Sequence, residues 1–209
     1  MSIIPKLASS LNRRDEVPNQ ELARQIIKAN DKKAVKELFD NVIANKDRGI
    51  QNDCIKVIYE VGGQKPQLIS EFVKELLALL NNKNNRLQWG AMMALHTITS
   101  EEPKALYKAL PLIIDAADKG SVITNDHCIG VLIELAAIKE YATAAFDLLN
   151  ERLRSSATNQ LPMYAERALP IINEKNKAAF ITTLTARLGD IERVTGRVRV
   201  EKLIRKLMK

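Results

Sequence analysis

Aromatic residues make up only 4% of this 209-residue chain, and long alternations of Val, Ile and Thr are missing. Strands draw on those residue types and on that period of two, so a sheet-built core is excluded and an all-α chain is expected. No segment approaches 18 uninterrupted apolar residues, which excludes a membrane-spanning helix as the organising element. The first residues, MSIIPKLASSLNRRDE, lack the basic region, apolar run and small-residue cleavage site of a secretory leader. The sequence therefore reads as a soluble, non-secreted protein with a cytoplasmic location.

Reactive groups are equally sparse. The two histidines, His96 and His127, belong to no H-x-x-x-H, H-E-x-x-H or C-x-x-C arrangement, so a metal has nothing to assemble around. His127 beside Cys128 is not a catalytic dyad, because neighbours on a helix point about 100° apart. Phosphate-cradling glycine loops are absent, and Gly62-Gly63 ahead of Pro66 reads as a helix stop. No cofactor, no metal and no small-molecule substrate is expected, and the chain is read as a non-enzyme.

Against these absences stands a repeat. In the stretch Asn84 to Ile98, the residues Leu87, Ala91, Leu95 and Ile98 fall four, four and three apart, which lines one face of a helix. Displaced by 37 residues, the same columns hold Ile50, Cys54, Ile58 and Val61 on one side. On the other side they hold Thr124, Cys128, Leu132 and Leu135, then Leu161, Ala165, Leu169 and Ile172. Near the end, Val200, Ile204 and Leu207 keep the spacing of the preceding copy at an offset of 35. A fixed period of this size marks stacked helical units that cannot bury their apolar faces alone. Cys54 and Cys128 share one core column two repeats apart, too far for a disulfide, and act as small apolar residues.

Turn and cap signals divide the chain into helix pairs. Residues 3–13 and 18–29 read as a helical lead-in, so residues 1–30 form an N-terminal helical cap and 31–209 one continuous array. The pairs run 31–45 with 47–61, 67–80 with 84–98, 104–118 with 121–137, 141–154 with 159–172, and 175–188 with 191–208. Three features carry a resemblance to a known family. They are two-helix units of this length, a proline inside a first helix (Ala109-Leu110-Pro111-Leu112-Ile113), and a second helix opening on Asn85-Arg86-Leu87 with small residues at Ala91 and Ala94. The chain resembles HEAT repeats over most of residues 31–209. The family's turn acid and second-helix arginine are matched best by Asp47-Arg48 and Arg86, while Ile123 and Gln160 stand in the arginine column of later units. With those departures the likeness extends to the armadillo-like variant. It implies an α-α superhelix, a solenoid of about five helix pairs behind the cap, whose second helices line a concave binding surface.

On that surface the positions opposite the core columns are Asn52, Lys56 and Tyr59, then Trp89, Met93 and His96, with Asp126 one repeat on. Trp89 and Met93 at i and i+4 lie together, and a tryptophan in a groove is a strong binding anchor. The expected function is a non-catalytic protein–protein scaffold that holds a protein partner through Asn52, Lys56, Arg86, Trp89, Met93, His96 and Asp126. The alternative follows from charge. The net charge is +7, and residues 175–209 hold ten basic against three acidic residues, leaving the remainder balanced. A basic terminal pair with Arg193, Arg197, Arg199 and Lys202 on phosphates would bind nucleic acid. HEAT-like arrays also include DNA glycosylases, a remote alternative here: these need an acid next to the groove tryptophan, and as the next turn from Trp89 offers Met93, only Asp126 of the following repeat could stand in. The sequence names no partner, and it gives no reason for a membrane-bound one.

Overall fold

A computed structural model describes residues 2–208, and all regular structure among them is helical. Three elements open the chain: α1 (Val17–Ala29), α2 (Lys32–Ala44) and α3 (Arg48–Gln64). Then come α4 (Val73–Leu79), α5 (Asn85–Thr97), α6 (Pro103–Lys108), α7 (Leu110–Lys119) and α8 (Val122–Ala136). The last four are α9 (Ala142–Ser155), α10 (Leu161–Ala168), α11 (Lys177–Arg187) and α12 (Val194–Leu207). The chain divides into two compact units, one reaching to Cys128 and one from Ile129 onward, with the division inside α8.

In the first unit α3 is the central element, packed by α1, α2 and α5, while α4 lies against α5. The repeat columns make its core: Cys54, Ile58, Val61, Leu87, Ala91, Leu95 and Ile98 are inaccessible to solvent. Burial pushes the Cys54 thiol up to about 12, so it stays protonated and packs as a small apolar group. Helix starts are fixed by short acids and amides. Asp31 Oδ1 accepts from Ala34 N at 3.0 Å, Asp47 Oδ1 from Gly49 N at 2.7 Å, and Asn84 Oδ1 from Arg86 N at 3.1 Å.

Several helix limits differ from the sequence expectation, each for a local reason. Residues 3–13 form no continuous helix but a 3₁₀ turn at Ile4–Lys6 followed by a turn in which the Leu11 N–H donates to the Leu7 carbonyl at 3.0 Å and the Arg13 N–H to that of Ala8 at 2.8 Å, and buried Ile3, Leu7 and Ala8 hold the segment down. The expected helix 67–80 is three pieces, Pro66–Leu68, Ser70–Phe72 and α4. The expected 104–118 breaks at Ala109, between α6 and α7, where Pro111 supplies no N–H to the preceding turn. Pro170 likewise closes α10 at Ala168 and turns Leu169–Ile171 into a 3₁₀ end, so Leu169 and Ile172 are only half-buried. Gly62-Gly63 does not stop α3, which runs on to Gln64 and ends before Pro66. Gly62 is there for space: a Cβ would stand 2.4 Å from Thr97 Oγ1 and 2.6 Å from Ile69 Cδ1.

In the second unit α9 packs against α11 and α10, and α12 against both α10 and α11. Its core holds Phe146, Leu149, Leu153, Tyr164, Phe180, Leu184 and Val200. Arg187, at the end of α11, closes the C-terminus of α9. Its Nη1 donates to the Leu153 carbonyl at 2.8 Å and its Nη2 to that of Ser156 at 2.9 Å, while Nε pairs with Asp190 at 2.7 Å. Carbonyls of a last helical turn lack intrahelical partners, and a planar guanidinium satisfies two of them at once.

Candidate functional site

The positions singled out around Trp89 fall into three groups in the first unit. The largest is built where α3 meets α5. Lys56 in the middle of α3 has a buried side chain, and its ammonium lies 2.6 Å from Glu60 Oε1 and 2.7 Å from Glu16 Oε2. Glu60 is one turn along the same helix, the i,i+4 spacing at which opposite charges meet. Glu16 comes from far away in sequence, from the residue just ahead of α1, and its second oxygen takes a hydrogen bond from the Arg86 guanidinium of α5. One carboxylate thus bridges two cations on two different helices.

Aromatic rings form the rest of this site. The Lys56 ammonium lies 4.9 Å from the centre of the Tyr59 ring, and the Arg86 guanidinium carbon 5.3 Å from that of Trp89. The two rings face each other at 5.8 Å and 42°. Tyr59 is buried and Trp89 half-buried, so Trp89 stands at the boundary between core and surface. Burial pushes the Tyr59 hydroxyl above its ordinary value, against the pull of Lys56. For Lys56 burial works against the charge, but hydrogen bonds to Glu16 and Glu60 outweigh it and raise the ammonium above the ordinary lysine range.

The Glu16 carboxyl shifts the other way. Its partial burial favours the neutral acid, yet hydrogen bonds from Lys56 and Arg86 prevail and hold it below the ordinary 4.5. A folded value below the unfolded one means that the bridge stabilises the protein above the unfolded value, and that this contribution is lost as pH falls through the folded value. The expected result is a difference in Tm between wild type and Glu16→Gln that is largest near neutral pH and closes as pH falls below the ordinary carboxylate value. A difference independent of pH would show that the carboxylate charge contributes nothing.

The second group is an amide pair at the α3 and α5 starts, where Asn84 Nδ2 donates to Asn52 Oδ1 at 2.9 Å. The third joins α5 to α8: Nδ1 of His96 and Nδ1 of His127 are 3.0 Å apart, one donating to the other, with the rings tilted at 51°. Asp126 precedes His127 on α8, and Met93 lies one turn from Trp89; both are half-buried. Helical spacing alone puts Asn52, Lys56, Arg86, Trp89 and His96 on neighbouring helices, but it does not reveal Glu16, Glu60 or the pairing of His96 with His127. The interval between Lys56 and Glu60 was a usable signal for one of these. Glu16 offered none.

In the second unit, Arg193 is the exposed residue ahead of α12 and Lys202 is exposed along it. Arg197, though exposed, donates to the Ile191 carbonyl from Nη2 at 2.9 Å and from Nε at 3.2 Å. Arg199 is paired with Glu166, Nε to Oε1 at 2.8 Å, which holds that carboxyl below its ordinary value and the arginine above its own. Two of the four cations considered for phosphate contact are thus committed within the unit. Among the described residues no helix is long and apolar enough to cross a membrane, and no three His, Cys, Asp or Glu side chains gather as a metal site.

Comparison with solved structures defines the fold class as an armadillo-type array of α-helical repeats. A designed armadillo repeat protein in complex with the peptide (KR)4 matches with a TM-score of 0.66 at 14% identity, over 91% of this chain and 87% of that one. A second designed armadillo repeat protein gives the same TM-score and identity over 98% and 99% of the two chains. An engineered protein matches at 19% identity with a TM-score of 0.59, over 99% of this chain and 98% of its own. No protein-family model matches the sequence, and neither does any curated protein.

Proposed function

We propose that this protein is a non-catalytic scaffold that binds an extended segment of a partner protein across the α3–α5 face, with Trp89 as its anchor. The observation that carries the reading is the position of Trp89, half-buried over Tyr59 and under the Arg86 guanidinium. A large amphipathic ring fixed by its neighbours but still open to solvent offers contact area at little conformational cost. The fold supports this reading, since one of the similar designed arrays is itself a peptide complex. Asn52, Lys56, Arg86, Met93, His96 and Asp126 surround the anchor in this proposal, the first three through the polar pairs described above. Binding, with no chemical step, is the activity assigned.

Trp89 is the only tryptophan in the chain, which gives the site its own fluorescent reporter. Labelled octapeptides of acidic, basic and neutral composition are to be titrated against wild type and Trp89→Ala. At least one class is expected to bind and to shift the Trp89 emission, and Trp89→Ala to weaken that binding by about tenfold or more, as for a central aromatic anchor. Circular dichroism should show the helices of the variant intact. If Trp89→Ala unfolds the chain, the residue is a packing element; if it folds and binds unchanged, this face is not the binding surface.

A further inference from the structure

The chemistry of the partner can be narrowed further, on the reading that the α3–α5 face binds a protein segment. We propose that Lys56, Arg86, Tyr59 and Trp89 form a receptor for an acidic side chain of the partner, and that Glu16 fills it in the unliganded chain. Glu16 stands at the N-cap of α1, where a side chain ordinarily turns back to accept from its own helix, yet it makes no such bond. Its carboxylate reaches away instead, to the Lys56 ammonium and the Arg86 guanidinium. Those two cations belong to α3 and α5, so the receptor is built by the repeats and only filled by the segment ahead of them.

Three observations make Glu16 a replaceable occupant. Its side chain remains 40% exposed, whereas that of Lys56 is 8% exposed. It sits on a non-helical segment, whereas Glu60, the other carboxylate on Lys56, is fixed within α3. The Arg86 guanidinium also keeps a buried Nε with no hydrogen bond among the described residues, so its fork has a donor to spare for a bidentate carboxylate. An ammonium as buried as that of Lys56 requires anionic partners at all times. Exchange of one carboxylate for another meets that requirement, while entry of a cationic side chain would set like charges together. The expected ligand is thus acidic, opposite in sign to the (KR)4 peptide held by the similar designed array.

Glu16→Gln keeps the shape and removes the charge of the internal occupant. The probe is a fluorescein-labelled octapeptide of alternating Asp and Glu, with (KR)4 and a Gly/Ser peptide as controls, followed by anisotropy at about 0.15 M salt, where long-range attraction to the net charge is screened. Glu16→Gln is expected to bind the acidic peptide about tenfold more tightly than wild type, and addition of Arg86→Gln or Lys56→Met to remove the gain. Arg86→Gln covers the case in which Lys56→Met fails to fold. Equal binding by wild type and Glu16→Gln overturns the proposal, as does a gain that survives Arg86→Gln, which would reflect overall charge. If a basic or neutral peptide binds through Trp89 while Glu16→Gln has no effect, the inference falls and the scaffold reading stands. If no peptide of any charge binds through Trp89, both fall.

Discussion

Replacing Gly90 with alanine is expected to lower stability by about 1–3 kcal/mol, the usual cost of an extra methyl in a closed core. Helix propensity points the other way, since alanine is favoured over glycine by about 1 kcal/mol inside a helix, so the sign of the result measures packing directly. A Cβ at Gly90 would lie 2.7 Å from Cγ1 and 3.3 Å from Cγ2 of Ile55, the contact through which α5 approaches α3. Ile55 is inaccessible to solvent, and its Cγ1 is held close to the α3 backbone, so it cannot swing aside as the end of a long chain would. Gly63 provides the control. It lies near the C-terminus of α3, where an added Cβ would meet nothing within 4 Å, and Gly63→Ala should be neutral or stabilise by up to about 1 kcal/mol. Chemical denaturation of the two variants, together with Ile55→Ala and the double variant Ile55→Ala/Gly90→Ala, completes the test. Ile55→Ala alone should cost about 2–5 kcal/mol by leaving a cavity. In that background the new methyl at Gly90 has room, so its cost should vanish. Strict additivity would mean that α3 and α5 do not meet at this pair.

This contact also shows what could be read from the residues alone and what could not. The columns of Leu87, Ala91, Leu95 and Ile98 and of Cys54, Ile58 and Val61 were legible because burial repeats with the helical period, and all seven are inaccessible. Gly90 and Gly62 were not legible as packing glycines. A glycine that stops a helix and one that admits a neighbouring helix look alike in sequence, and only the approach of Ile55 or Thr97 tells them apart. Helix breaks at Pro111 and Pro170 were legible in principle from the missing N–H, but the apolar period continued through both and hid them. At the candidate site the helix faces were readable and their occupants were not. Lys56, Arg86 and Trp89 follow from position on α3 and α5, while Glu16 reaches them through a fold of the chain that no periodicity encodes.

The same is true of the anchor that holds the chain ahead of α1, where the largest polar effect is expected. Asn19 is fully buried on α1, and its Oδ1 accepts from the Ala8 backbone N–H at 3.0 Å while its Nδ2 donates to Asp53 Oδ1 at 2.8 Å. The other oxygen of Asp53 accepts from the Ser9 N–H at 2.7 Å. A segment that forms no continuous helix thus satisfies two successive backbone donors through two side chains, one from α1 and one from α3. Asn19→Leu, close to it in size, leaves the buried Ala8 N–H and one Asp53 oxygen without partners, and is expected to cost about 2–4 kcal/mol. Asn19→Asp should cost at least as much near neutral pH, because it sets two carboxylates in contact. Hydrogen exchange gives the sharper readout. Glu37 still accepts from the Ile3 N–H at 3.2 and 3.3 Å, so the first residues keep one tether while protection at Ala8 and Ser9 is lost. Since Ile3, Leu7 and Ala8 are buried by this segment, loosening it also exposes apolar surface on α1, and the loss should extend to global stability. Faster exchange at Ala8 and Ser9 with an unchanged Tm would instead make the segment an independent flap whose anchor contributes nothing to the stability of the repeats.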